Sequence, residues 1–327
     1  MPGFAPPAQR GVGFSYLPGI SAALIAQPGL VDFLELSPDI LCREVNGPGG
    51  ARLAFHAPLL QEGLPVLAAR PLVVHGLGLS IGSHAGWNTG YLALLDELHH
   101  HVPFAWHSEH LAFLQTVDRR GRALHVGVPL PLPFTDEALD LLAPRAAALG
   151  DRYGVPFLLE NFTYYLPGLP SDRGRDEVAF LNELTERSGC GLLLDLYNFY
   201  CNAMNFGFDP FAALARLRLD RVVEIHVAGG SEFAGFHMDV HSQVVPDAVW
   251  RLLDFVVVRA PNLAGIVYEV LEQAVDHVGP GRIAQQLRRV REAWAAQQGV
   301  FGARGAPGAP TGVRVSAVET RSAGVAR

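Results

Sequence analysis

Eight short apolar runs recur along this chain with helical patterns between them, and that alternation constrains the fold more than any other feature. The runs are GVGFSY near residue 11, DFLELS near 32, PLVVHGLGLS near 71, FAWHSEHL near 104, PFLLENF near 156, GLLLDLYN near 191, VVEIHVAGG near 222 and GIVYEVL near 265. Their hydrophobicity is continuous rather than alternating, as expected of strands covered by helices on both faces. Between them, EVAFLNELTERSG sets Val178, Leu181 and Leu184 at helical spacing and stops at Gly189. WNTGYLALLDELHHH, TDEALDLLAPRAAALG with Thr135 as N-cap, and PDAVWRLLDFVVVRA with Pro246 near its start read the same way. Strand alternating with helix predicts a parallel sheet with right-handed crossovers, and a count of eight favours closure into a (β/α)8 TIM barrel. An open doubly wound sheet is the alternative, but GVGFSYLPG is a poor version of the Gly-rich phosphate turn that follows the first strand of such sheets.

A barrel of this kind commonly occupies about 250 residues, so residues 1–301 are expected to form one domain. From Gly302 the sequence GARGAPGAPTGVRVSAVETRSAGVAR has no hydrophobic period, and 302–327 reads as a flexible tail. A net charge of −7 and cations scattered along the chain argue against a nucleic-acid footprint. Cys42, Cys190 and Cys201 form no C-x-x-C pair, which suits a reducing cytoplasm and leaves any metal to His and carboxylate. The N-terminus MPGFAPPAQRGVGF lacks the pattern of an export signal, and no window approaches the roughly 18 apolar residues of a membrane span.

In a parallel barrel, residues at the C-terminal ends of the strands converge on one face however far apart they lie in sequence. Here the third strand carries His75, the fourth His107 and His110, the fifth Glu160 with Asn161, the sixth Asp195 and Asn198, the seventh His226 and the eighth Glu269. The loop between the last two adds Asp239 and His241 in the triplet DVH. Any one of these is more often a solvated polar group, but burying so many together costs several kcal/mol each unless cations compensate. Imidazole and carboxylate without thiolate suit Fe, Mn or Zn. Nine donors from this set exceed the needs of one ion, so two or three metals bridged by carboxylates such as Glu160 and Glu269 are expected. His99, His100 and His101 end a predicted helix and read as a solvated, dipole-complementing turn. His56, His84, His125 and His237 are expected in loops, and Glu35 either supports a ligand or is a core charge.

The stretches HGLGLSIGS, SEHL, LHVGVPLPLPFT, FLLENFTYY, LLLDLYNFY, EIHVAGG, DVHSQ and the glutamate of VYE resemble the multinuclear non-haem iron-dependent oxidases typified by the methanobactin-biosynthesis oxidase, within the xylose-isomerase-like TIM barrels. The likeness runs in order over roughly residues 10 to 295. Carried over by motif, it implies metal ligands His75, His110, Glu160, Asp195, Asn198, His226, Asp239, His241 and Glu269. Read from their own positions, Glu35, His107 and Asn161 are candidates to support a ligand or face a substrate. It further implies two to three irons in mixed Fe(II)/Fe(III) states, O2 as co-substrate, a ribosomally made precursor peptide modified at cysteine, and a separate leader-binding partner protein. Where the family often has E-W-D at the eighth strand and N-N at the sixth, this chain has Glu269-Val270-Leu271 and Tyr197-Asn198. The departures sit beside the ligands and bear on the substrate.

Three other readings fit parts of the pattern. Trinuclear-zinc apurinic endonucleases share the barrel and a similar ligand order, but they carry D-x-x-H where this chain has D-L-Y-N from Asp195 to Asn198, and they need a basic surface. Xylose-isomerase-like sugar isomerases usually add a catalytic lysine, absent from all these motifs. A barrel that binds peptide or metal without turnover is the non-enzymatic reading.

Overall fold

The structure, a computed structural model, describes residues 4–18, 21–47 and 50–302. All eight apolar runs form strands: β1 (Gly11–Ser15), β2 (Phe33–Leu36), β3 (Leu72–Gly76), β4 (His107–His110), β5 (Phe157–Glu160), β6 (Gly191–Asp195), β7 (Val222–Val227) and β8 (Gly265–Tyr268). They close into a barrel in sequence order, with β1 hydrogen-bonded to both β2 and β8 and every neighbour parallel. Residues 303–327 of the expected tail lie outside the described residues.

The main helices are α1 (Ala57–Leu67), α2 (Thr89–His101), α3 (Asp136–Tyr153), α4 (Glu177–Ser188), α5 (Leu196–Phe206), α6 (Asp247–Val257) and α7 (Pro280–Phe301). Their ends follow local chemistry. Thr135 accepts from the Ala138 N–H as N-cap of α3, and Gly189 ends α4 at φ 75°, a left-handed conformation that costs a glycine little. The core between helices and barrel includes Leu139, Leu142, Leu184, Leu253 and Leu287, all fully buried. No helix among the described residues is long and apolar enough to cross a membrane.

Inside the barrel lies a second cluster, Phe33, Val73, Trp106, Leu158, Leu193, Val223, Ala264 and Val267. Phe33 and Trp106 meet edge to face with centroids 5.7 Å apart. Gly13 and Gly265 make room for the Phe33 ring, since a Cβ at either would lie under 3 Å from it. This apolar floor matters for what stands above it. Side chains alternate along a strand, so the residues two positions beyond Phe33, Val73, Leu158, Leu193 and Val267 also face inward. Those residues are Glu35, His75, Glu160, Asp195 and Glu269.

Strand β7 reaches the same result by an irregular route. Leu192 pairs with Val222 but Leu193 pairs with Glu224, so Val223 is an extra residue, a bulge. The bulge resets the alternation and turns both Glu224 and His226 into the barrel. Three antiparallel hairpins follow β2, β4 and β7 at the same end: Cys42–Gly47 with Gly50–Phe55, Ala112–Val117 with Ala123–Pro131, and Ser231–Phe233 with Phe236–Met238. His125 and His237, expected in loops, therefore lie in hairpin strands.

Beside α4 one buried acid offers a test of the packing. Glu177, the first residue of that helix, is 6% exposed and receives the Asn202 amide at 3.2 and 3.4 Å. Burial pushes its pKa up to about 8, against the hydrogen bond from Asn202. Because the folded value exceeds the unfolded one, the folded chain is penalised as pH rises from about 4.5 to about 8, by a few kcal/mol at most. Glu177→Gln keeps the shape and removes the charge. It is expected to melt several degrees above the parent at pH 8.5 and within a degree of it at pH 5 in thermal denaturation; equal melting at both values would place the carboxyl in water.

Candidate metal centre

Above the apolar floor, the strand ends bring most of the sequence-derived donors together. Glu160 Oε2 lies 3.2 Å from His75 Nε2 and 3.1 Å from His110 Nε2. Its other oxygen is 3.9 Å from His226 Nδ1, which is also 4.0 Å from Asp195 Oδ2 and 3.0 Å from Glu269 Oε2. His241 closes the row, with Nε2 3.8 Å from Asp195 Oδ2 and 2.7 Å from Asp239 Oδ1, and Nδ1 3.3 Å from Glu269 Oε2. Three overlapping groups result, His75/His110/Glu160, Glu160/Asp195/His226 and Asp195/His241/Glu269, each with donor atoms within 4.8 Å of one another. Glu160 and Asp195 are the shared carboxylates. Glu269, also expected as a bridge, places Oε2 between His226 and His241, members of two different groups.

Hydrogen-bond accounting fixes which imidazole nitrogen faces the cluster. His110 Nδ1 is 2.9 Å from the Gly76 carbonyl, which can only accept, so Nδ1 carries the proton and Nε2 presents a lone pair to Glu160. Ser108 donates its one proton to the Val74 carbonyl at 3.2 Å, so at 3.0 Å it accepts from His75 Nδ1, and His75 Nε2 is a lone pair too. His226 Nε2 donates to Glu35 at 2.8 Å, leaving Nδ1 for the cluster. With both imidazoles neutral, two lone pairs therefore face one carboxylate oxygen at 3.2 and 3.1 Å, a contact that needs either a cation or a proton on the carboxyl. Glu160 Oε2 and Asp195 Oδ2 are buried without a hydrogen-bond partner. Such an arrangement repels itself unless cations or protons lie within it, and the residues present fit a multinuclear metal centre.

The charges tell the same story. Burial raises the Glu160 pKa to about 7 and lifts Asp195 and Glu224 well above the usual carboxylate range. Burial opposes charge on His226, but Glu35 and Glu269 outweigh it and hold the ring's pKa well up; Glu269 and Asp239 do the same for His241. Without cations the site cannot keep all its carboxylates ionised.

The supporting residues are equally specific. Asp195 spends one oxygen capping α5, accepting from the Asn198 N–H at 2.6 Å, and keeps the other spare. Asn161 clasps the Asp195 backbone from both sides, at 2.8 and 3.0 Å. Asn198 accepts from Thr163 at 2.7 Å and points its amide N–H at Glu160, 3.4 Å away. In this orientation it holds Glu160, and an amide flip would bring its oxygen to that side. Tyr165 Oη accepts from the Asp239 N–H at 2.9 Å. His241 sits at φ 37°, strained for a non-glycine residue, with its carbonyl held by Leu271 N–H at 3.0 Å. The loop carrying it passes so close to β7 that a Cβ on Gly229 would lie 2.1 Å from the Val244 carbonyl oxygen.

Two sequence expectations end differently. His107, named as a supporting or substrate-facing residue, faces out of the barrel: adjacent to inward-facing Trp106 and Ser108, it pairs with Glu109 at 3.0 Å and packs on Phe104, Tyr153 and Phe157. Burial first, then His75, lowers its pKa to about 3. Among the terminal histidines of α2, His99 packs on Phe104 and Tyr153. Glu224 was missed. It is fully buried below His226, accepts from Trp106 Nε1 at 2.7 Å, and forms a deeper group with Glu35 and His226. Its spacing of two from His226 was the available signal.

A UPF0276 protein of Anaeromyxobacter sp. (strain Fw109-5) is 38% identical over 267 residues, 81% of this chain and 86% of its own length. Another from Chromobacterium violaceum is 38% identical over 247 residues, 74% and 84% of the two chains. Among solved structures, a xylose isomerase domain protein from Alicyclobacillus acidocaldarius superposes with a TM-score of 0.52 at 17% identity, over 89% of this chain and 99% of that one. Mannonate dehydratase from Streptococcus suis gives 0.52 at 12% identity, over 96% and 100%. These likenesses show a xylose-isomerase-like TIM barrel. Residues 11–293, and with them every strand and every residue of the centre, match the family described as RiPP precursor modification enzyme MbnB/TglH/ChrH, to which this chain belongs.

Proposed function

We propose that the chain is an oxidase that holds about two to three iron ions, Fe(II) and Fe(III) together, and uses O2 to modify a ribosomally synthesised precursor peptide at cysteine. The observation that carries the metal part is the convergence of the His75 and His110 lone pairs on Glu160 Oε2 at 3.2 and 3.1 Å. The peptide part rests on family membership. Iron in this site would supply the redox couple through which electrons leave the peptide and reach O2.

The chain's own residues then have separable tasks. Glu160 and Asp195, which each belong to two of the three groups, would hold ions in neighbouring groups. His75, His226 and Asp195 line the dry side, while the His110, Asp239 and Glu269 side chains keep 22%, 18% and 19% of their surface exposed and form the rim a peptide would reach. The three hairpins wall that rim. A separate partner protein that recognises the peptide leader completes the proposal, and nucleic acid has no part in it. The nine ligands proposed are those named from the motifs, with Asn198 entering by its oxygen.

Metal analysis of the full-length protein together with mass spectrometry of a cysteine-containing precursor tests this reading. Two to three irons per chain and an O2-dependent mass change in the peptide are expected. Stoichiometric zinc with cleavage of abasic DNA would replace it with the endonuclease reading, and iron without any peptide change would leave a binding barrel.

A further inference from the structure

Outside the barrel, beside the H-G-L-G stretch that ends β3, lies a half-buried polar group that the metal chemistry does not touch. We propose that Asp39 and Tyr91 are positioning residues for the His75/His110/Glu160 end of the centre, an inference that rests on the metal-centre reading above.

The argument turns on one peptide plane. The Gly76 carbonyl accepts from His110 Nδ1 at 2.9 Å and so sets the ring's tautomer and direction. The N–H of the same peptide unit belongs to Leu77, and it donates to Asp39 Oδ2 at 3.2 Å. Because the unit is planar and stiff, holding its N–H holds its carbonyl. Asp39 Oδ2 is itself fixed by the Tyr91 hydroxyl at 2.9 Å and by Ser37 Oγ at 3.2 Å. Tyr91 is fully buried on α2, so this anchor is part of the core.

The glycines of the stretch have a steric reason. A Cβ on Gly76 would lie 2.5 Å from Tyr91 Oη and 2.3 Å from Glu109 Oε1, and one on Gly78 would lie 2.5 Å from Asp39 Oδ1. Glycine is therefore needed for the acid to approach the peptide. Glycine also leaves the Gly76–Leu77 unit free to flip, and a flip would remove the acceptor from His110. Asp39 holds that unit in place. Its negative charge at the N–H end also polarises the carbonyl, which strengthens the bond to His110 and makes Nε2 a better donor to a metal.

Titrating Co(II) into chelator-treated full-length protein, followed by its visible spectrum and by equilibrium dialysis, tests the chain of contacts. Asp39→Ala is expected to weaken one bound ion about 10- to 100-fold while the others bind as in the parent. Asp39→Asn, which keeps an accepting oxygen, should recover most of that loss, and Tyr91→Phe should weaken the same ion a few-fold. His110→Ala is the control for the underlying reading. If it binds as many ions as the parent, the metal-centre reading fails. If it loses one ion while Asp39→Ala and Tyr91→Phe both bind like the parent, the positioning role is overturned. Equal weakening of every ion in the Asp39 variants would also overturn it, as a loss of folding rather than of orientation. Should Asp39→Ala not fold, Tyr91→Phe decides the question by the same criteria.

Discussion

Glu160→Gln is expected to strip metal from two of the three groups at once, leaving about one ion per chain or fewer where two to three are proposed for the parent. The carboxylate belongs both to the group with His75 and His110 and to the group with Asp195 and His226. No other donor near His75 and His110 replaces it among the described residues. The amide has nearly the same volume, and in the metal-free chain it removes a buried acid whose pKa is pushed up to about 7 by burial. The variant should therefore fold at least as well as the metal-free parent. Metal content by elemental analysis, read beside circular dichroism and melting temperature, separates the two effects. His226→Ala and Asp239→Ala give graded versions of the same experiment, each losing metal from a folded barrel. Parental metal content in Glu160→Gln would remove this residue from the centre.

Removing the metal from the parent should lower its melting temperature by ten degrees or more at pH 8, and by much less at pH 5.5. The sign follows from the direction of each shift. Glu160, Asp195 and Glu224 have folded pKa values above their unfolded ones, so the metal-free fold holds protons that the unfolded chain releases, and its stability falls as pH rises above about 4.5. His226 and His241 are also raised, and the stability they contribute is present below about 6.5 and lost as pH climbs through their folded values. Glu269 is shifted the other way, with burial overcome by His241 and His226, and its contribution is lost only as pH falls below the usual carboxylate range. Between pH 5.5 and 8 the raised groups all push in one direction. Bound cations would replace those protons, so a loaded protein would escape the decline. Calorimetry with and without chelator at the two pH values measures the gap, and a gap that stays constant or narrows toward pH 8 would mean that the buried acids are not what the metal satisfies.

Much of this site was legible in the sequence because strand ends in a parallel barrel collect on one face. His75, Glu160, Asp195 and Glu269 each stand at or one residue beyond the last residues of an apolar run, and the inward direction follows from the alternation that begins at Phe33, Val73, Leu158, Leu193 and Val267. His107 misled because its run, FAWHSEHL, has polar residues on both parities, and only packing decides that Ser108 and His110 point in while His107 and Glu109 point out. Glu224 was overlooked because a carboxylate in mid-strand reads as a core anomaly until the partner of Trp106 is known. The anchoring of Gly76 by Asp39 depends on a contact between residues 38 positions apart, which no local pattern announces.

The extra residue in β7 has a consequence for how such a site can change over time. A strand has a reading frame of two, and Val223 shifts that frame between the floor of the barrel and its rim. Regular alternation at the present length would rotate Glu224 and His226 out toward the helices, so the tidier strand would lose both residues from the barrel interior. Substitutions explore this centre one side chain at a time, but length changes within its strands move whole faces together. Length changes are tolerated more readily in the hairpins and loops, which lie outside that frame.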